Sequence, residues 1–425
     1  MILINKLKIH FNLYCRGIIF FAIIIFPFTS YAQYSSNSTY SFFGIGDIKA
    51  ATPIRNEAMG GASFAFASEN YINNLNPASL TRFDSTSFIF TAGIGGYLSS
   101  FQSRQVKTTA TDFNFNHLAL GFPVTKWWGA AAGASPLSSV GYNVTMLLPI
   151  EGTTNYFKSK FTGSGGVTQF YLLNTFHPIK QLSVGVNLSY LMGTITHTEL
   201  DKLSEFDYPD VTKTDTRYFR NFYYIFGLQF SQNIGKDRLS AGITFNPAQK
   251  LKIRHDVEIL IPSVDTITTE PENRDNFKMP LSIGAGLAFN INSIFEVAFD
   301  YGFEKWSDVE NSFRRARLAD SYHYNFGLEF TPAEKLTRNY LRMIKYRAGA
   351  YYQTNYIEMR GNKILDRGIT IGAGLPIGRG RSTLDIAFGL GRLGTLNDGL
   401  IQETYGSIKV GFNFHDYWFI KRRFD

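Results

Sequence analysis

Leu182-Ser183-Val184-Gly185-Val186-Asn187-Leu188-Ser189-Tyr190 is the stretch on which the fold turns. Large apolar residues alternate with small or polar ones, and a period of two marks a strand with two unlike faces. Met192 carries the pattern on. It returns at Phe222, Tyr224, Phe226, Leu228 and Phe230, at Phe295, Val297, Phe299, Tyr301 and Phe303, and at Tyr322, Tyr324, Phe326, Leu328 and Phe330. Working outward, fourteen such segments follow one another from Thr86–Ser99 to Glu403–Phe414. Most are longer than the five or six residues usual in a soluble strand.

Alternation alone does not separate a soluble sandwich from a barrel, because either presents one apolar face. The connections separate them. Trp127–Ser139 and Ser164–His177 are joined by about 24 residues, whereas Thr125-Lys126, Pro178 to Gln181 and Gly235-Lys236-Asp237 are tight turns. Long connections at one end, short turns at the other and an even strand number predict an all-β transmembrane antiparallel barrel of about 14 strands, spanning 85–414. The turn from Pro332 to Ile344 breaks the rule, and a secreted array of sandwiches is the competing reading.

Composition agrees with a barrel. Of 425 residues, 44% are hydrophobic, 16% aromatic and 18% charged, and the one cysteine is Cys15. A disulfide scaffold, a cysteine-ligated metal and a thiol nucleophile are excluded. Residues 1–32 carry Lys6, Lys8 and Arg16, an apolar run from Gly17 to Phe28 and Ser30-Tyr31-Ala32, the layout of a secretory signal peptide. Cleavage there leaves about +5 of the formal +8, with no basic stripe before the last residues, so nucleic acid is not an expected partner. Residues 415–425 read as a C-terminal periplasmic tail or assembly signal.

A barrel this wide holds an aqueous pore unless something fills it. The candidate is 33–84, a run rich in Gly, Ala, Ser and Asn that breaks the strand pattern, carries Phe42, Phe43, Ile45, Met59, Phe64 and Phe66, and ends its helical turns at Asn76-Pro77-Ala78. Charges expected to face inward are Glu296, Asp300 and Glu304 on one strand, His323 and Glu329 on the next, and Arg347 and Lys409 as counter-charges, with Glu329 and Arg347 close enough to pair. They suit lumen hydration and anchoring of the filler better than ligand binding. The histidines show no ligand spacing and no G-x-S-x-G elbow occurs, so neither catalysis, a metal nor a cofactor is expected.

Asn76-Pro77-Ala78-Ser79-Leu80-Thr81-Arg82-Phe83-Asp84 leading into Phe88 to Gly95, with Met59-Gly60-Gly61-Ala62 upstream and Met279-Pro280, Trp306-Ser307 and Tyr346-Arg347-Ala348-Gly349 downstream, resembles the FadL/TodX family of outer-membrane transporters. These landmarks span most of the chain after residue 32. The resemblance implies an N-terminal hatch inside the barrel, a gate at Asn76, Pro77 and Ala78, and passive uptake of hydrophobic molecules such as fatty acids and hydrocarbons across the outer membrane of a Gram-negative cell. It also implies a kink in the third strand that opens the wall toward lipid. Gly133, Ser135 and Pro136 are the candidates here, unless Pro136 merely ends the strand. Expected partners are a hydrophobic small molecule, outer-membrane lipid and the barrel-assembly machinery. The atypical tail keeps a second reading open, a barrel subunit of a secretion or surface-protein assembly without small-molecule cargo.

Overall fold

The computed structural model describes residues 38–48, 52–68, 70–80, 87–104, 106–203, 208–262, 267–269, 274–309, 317–332, 339–377 and 381–417. The expected signal peptide, the ends of the expected hatch and residues 418–425 of the expected tail lie outside them.

From Ser87 onward the chain forms one antiparallel sheet closed into a fourteen-stranded barrel. The strands are β1 (Ser87–Gln102), β2 (Lys107–Thr125), β3 (Trp128–Pro149), β4 (Tyr156–Ile179), β5 (Leu182–Lys202), β6 (Val211–Ile234) and β7 (Asp237–Asn246 with Gln249–Leu260). They continue as β8 (Ile267–Thr269, Arg274–Met279 and Ser282–Ile291), β9 (Phe295–Glu304), β10 (Arg317–Leu318 with Ser321–Phe330) and β11 (Lys345–Met359). β12 (Asn362–Ile377), β13 (Ser382–Gly394) and β14 (Gln402–Tyr417) complete the wall. Closure is made by β14 on β1, from Gln402↔Gln102 to Tyr417↔Ser87. Two prolines of the wall, Pro247 within β7 and Pro280 within β8, fall at breaks between strand segments, where a residue that cannot donate to the ladder is tolerated.

The period-two pattern sets the faces. In β5, Val184, Leu188 and Tyr190 are exposed while Ser183, Asn187 and Ser189 are buried toward the lumen. Phe299 is likewise exposed and its neighbour Asp300 is 1% exposed. Outward aromatics collect into bands. Trp127, Trp128 and Phe176 stack with centroids 6.0 to 6.4 Å apart, and Phe295 and Phe330 stack at 4.7 Å, all near the short turns.

The wall departs from expectation in height. β3, β4, β5 and β6 have 22, 24, 21 and 24 residues, about twice what a tilted strand needs to cross a bilayer, whereas β9 has 10. The expected long connection after Ser139 is therefore strand on both sides, and only residues 150–155 link β3 to β4. The expected segment starts at Ser164, within the glycine-rich Thr162-Gly163-Ser164-Gly165-Gly166, whereas the strand starts at Tyr156. Here those glycines stay in the strand because side chains leave no space: a Cβ on Gly163 would sit 2.0 Å from the Tyr142 ring, and one on Gly165 2.0 Å from the Thr194 carbonyl. At the far end β14 runs on to Tyr417 instead of stopping at Phe414.

The expected polar lumen also holds only in part. On the tall side the inner face turns apolar above Ser189, and Leu191, Ile195, Phe219, Leu251, Ile253 and Phe277 form a buried cluster with Ile45 and Val140. Phe42 and Phe43, from the segment threaded inside the barrel, pack against it.

Candidate functional site

The segment before the barrel fills it. A 3₁₀ turn, Thr39–Phe42, lies high against the tall wall, where the Ser41 hydroxyl bonds both N–H (3.1 Å) and C=O (3.2 Å) of Gly141. The chain then descends through Asp47–Ile48 to a helical turn, Ile54–Glu57, and a compact loop ending at Leu80.

That loop is seated by backbone contact with wall glycines. A Cβ on Gly349 would lie 2.1 Å from the Gly60 nitrogen, one on Gly185 2.2 Å from the Pro77 carbonyl, and one on Gly242 1.8 Å from the Phe64 carbonyl. Gly60, at φ +68, takes a conformation that a side chain would strain. Asn76, fully buried, donates to the Phe64 carbonyl (2.6 Å) and accepts from the Ala78 N–H (3.0 Å), so its side chain ties the loop to itself. The Thr175 hydroxyl donates to the Pro77 carbonyl, and Ala78 is fully buried.

Buried ion pairs fix the remainder. Arg55, stacked 3.4 Å over the Phe66 ring, pairs with Glu329 (3.1 Å) and Glu296 (3.4 Å). Arg347 pairs with the same Glu329 (2.7 Å) and with Asp385 (2.6 Å), and approaches the Tyr71 hydroxyl. Glu329 and Arg347 are register partners on β10 and β11, which is why the two side chains meet. Lys409 binds Glu57 at 2.8 Å. Asp300 accepts the backbone N–H groups of Ser63 (2.5 Å) and Phe64 (2.8 Å). Of the other inward charges, Glu304 accepts from the Trp306 indole (2.7 Å), and His323 lies with its ring 5.9 Å from that of Phe64.

The ladder between β2 and β3 ends partway along the strands. Their ladder runs only from Thr125↔Trp128 to Leu118↔Ala134, whereas β3 stays paired with β4 up to Pro149↔Tyr156. The register on β4 slips between Pro136 and Ser138. β3 therefore bends at Pro136 and continues, and the reading in which that proline ends the strand does not hold. Ser135 is buried at 1% exposure, and Gly133 lies under the Tyr171 ring, where a Cβ would come within 2.5 Å. Asp47–Ile48 takes the edge that β2 has left, pairing with Ser139 and Ser138. A cavity of about 730 Å³ runs from the inner wall to this seam, bounded there by Asn114, Asn116, Ser135 and Pro136.

Sequence reasoning missed Arg55, Glu57, Tyr71, Asp385 and the wall glycines. A signal existed for two of them, since Arg55 and Glu57 are charges inside a small-residue run. Partners hundreds of residues away carry none.

No curated protein matches the sequence. Solved structures match the fold. The Ralstonia pickettii toluene transporter TbuX is 13% identical, covering 85% of this chain and 97% of its own, with a TM-score of 0.56. The toluene transporter TodX of Pseudomonas putida is 13% identical, with 88% and 99% covered and a TM-score of 0.55. A Pseudomonas aeruginosa FadL homologue is 10% identical, with 88% and 99% covered and a TM-score of 0.57. At such identities the likeness is one of architecture. The family model of BamG matches residues 14–425, and the chain belongs to the BamG family.

Proposed function

We propose that the barrel sits in the outer membrane of a Gram-negative cell and passes hydrophobic small molecules from its lumen through the β2/β3 seam. One observation carries this reading: the cavity inside the barrel reaches a break in the wall at the third strand. Aromatic bands and a lipid-like outer face support the location. Irregular backbone at membrane depth is tolerated where it lines a cavity, which is the situation at the seam. The toluene transporters that share the fold support a hydrophobic cargo. In this reading the chain from 33 to 84 is the hatch, Asn76, Pro77 and Ala78 hold its gate loop, and Gly133, Ser135 and Pro136 form the opening. Asp300, Glu296, Glu329, Arg347 and Lys409 anchor the hatch, and Glu304 and His323 face the passage.

The test uses Ile48 and Ser138, register partners across the seam. Cysteines at both positions form a disulfide at strand-pair spacing, and Cys15 is the chain's only native thiol. Oxidation should stop passage of toluene into proteoliposomes and reduction should restore it. Passage unaffected by the cross-link would refute passage through the seam.

A second reading, a barrel subunit of an outer-membrane assembly, is favoured by the family match and by the seam itself. The family name points to barrel assembly. Among the described residues the β2–β3 ladder stops at Leu118↔Ala134, so the earlier part of β2 pairs with β1 and with no described strand on its other edge, and an open edge accepts an added strand. Depletion of the chain should then lower other outer-membrane proteins, and affinity purification should recover assembly subunits. Normal levels with no co-purifying subunit would exclude this role.

A further inference from the structure

We infer that the lumen selects apolar molecules bearing a positive charge, such as hydrophobic amines, against carboxylates. This deepens the passage reading and rests on it for delivery, though not for binding. Among the described residues six carboxylates line the cavity, those of Asp47, Glu57, Asp112, Glu304, Asp366 and Glu403, against one lysine, Lys409. That lysine is already held by Glu57. Arg55 and Arg347 do not offset the excess, because both are spent on Glu296, Glu329 and Asp385 beneath the hatch.

Four of the six meet only neutral donors among the described residues. Asp112 accepts from Asn114 (2.8 Å), and Glu304 from Trp306 (2.7 Å). Asp366 accepts from Tyr405 (2.7 Å) and Gln353 (2.9 Å), and Glu403 from Ser99 (2.8 Å). Asp366 and Glu403 are both cross-strand partners of Leu393, so they flank it in one inward row. The next row holds Asp366. Tyr351 and Tyr405 reach toward each other across Gly368 and Gly391, where a Cβ would lie 2.3 to 2.5 Å from their rings or hydroxyls, and their hydroxyls meet at 2.6 Å. Glu403 is 7% exposed, and its second oxygen, Oε2, is buried and accepts no hydrogen bond among the described residues. A cavity-lining carboxylate with an unused acceptor asks for a donor, and an ammonium group supplies one with the complementary charge. A ligand carboxylate in the same place meets like charge in a medium of lower dielectric than water.

The experiment compares three probes on one skeleton, 3-phenylpropylamine, 3-phenylpropanol and 3-phenylpropionate, with the full chain in uncharged detergent for binding by calorimetry. The same protein in phosphatidylcholine liposomes reports passage by swelling. Near pH 7 the amine should bind at least about tenfold more tightly than the carboxylate, and ~1 M salt should erode that preference. Glu403→Gln with Asp366→Asn should bring the ratio below about threefold, with folding checked by heat-shifted gel mobility. Equal or tighter carboxylate binding, or a preference that survives both high salt and the double substitution, overturns the proposal. Swelling with all three probes alike overturns it and leaves passage standing. Amine-selective binding without swelling supports it and overturns passage.

Discussion

Replacing Asp300 with alanine should unseat the hatch while leaving the wall intact. The carboxylate is buried and accepts two backbone N–H groups of the hatch, from Ser63 at 2.5 Å and Phe64 at 2.8 Å. Bonds to a charged acceptor contribute about 1.5–3 kcal/mol each, and truncation leaves both donors buried without a partner. Allowing for water entering the space, a loss of roughly 3 kcal/mol is expected, since two bonds to one group are not additive. About 1.4 kcal/mol is a factor of ten, so the fraction of molecules with the hatch displaced should rise by about two powers of ten. The ladder of β9 with β8 and β10 runs through backbone atoms and does not involve this side chain. The readouts are conductance of single barrels in a planar bilayer and labelling of a cysteine placed at Ala62, 1% exposed in the seated hatch. Both should increase, and Asp300→Asn, which keeps one acceptor oxygen, should fall between. Unchanged conductance and labelling in Asp300→Ala, with normal heat-shifted mobility, would refute the anchoring argument.

Gly349→Val should displace the same loop by crowding, because the new atoms would meet the Gly60 nitrogen and Met59 carbonyl carbon within 2.2 Å; a cost of about 1–3 kcal/mol is expected, read as protease cleavage between 54 and 80. Arg347→Met should destabilise by about 3–5 kcal/mol in urea unfolding, since Glu329 loses one cation and Asp385 is left buried without its own, and Glu329→Gln with Asp385→Asn should recover part of that loss. Asn76→Ala should raise hatch mobility, measured by hydrogen exchange at Ala78, through the loss of its bonds to Phe64 and Ala78; unchanged exchange would show that these two bonds do not hold the loop.

The outer face was legible because lipid imposes one rule along every strand, and Val184, Leu188, Phe226 and Phe299 obey it. The inner face follows the hatch instead. Leu191 and Ile195 continue β5 with apolar side chains inward because Ile45 and its neighbours cover them, and nothing within β5 announces that. Heights were not legible because β3 runs on past Ser139 and β4 begins before Ser164, where Gly163 is fitted to a tyrosine across the wall. Glu329, Arg347 and Asp300 were recognisable as inward charges from their phase, yet the surplus of acid in the cavity depends on which of them Arg55 neutralises. That is a property of the packed molecule.

The contacts of the hatch also set an order in time. Asn70 bonds His415, 345 residues later, and Arg55 bonds Glu329, 274 residues later. The segment made first is thus fastened to strands made last. Its seat is complete only when β9 to β14 are in place. Because β14 also closes on β1, the same last strand completes both the wall and the seat of this segment. The contacts that seat this segment, Asn70 on His415 and Arg55 on Glu329 among them, can therefore be complete only once the last strands are in place.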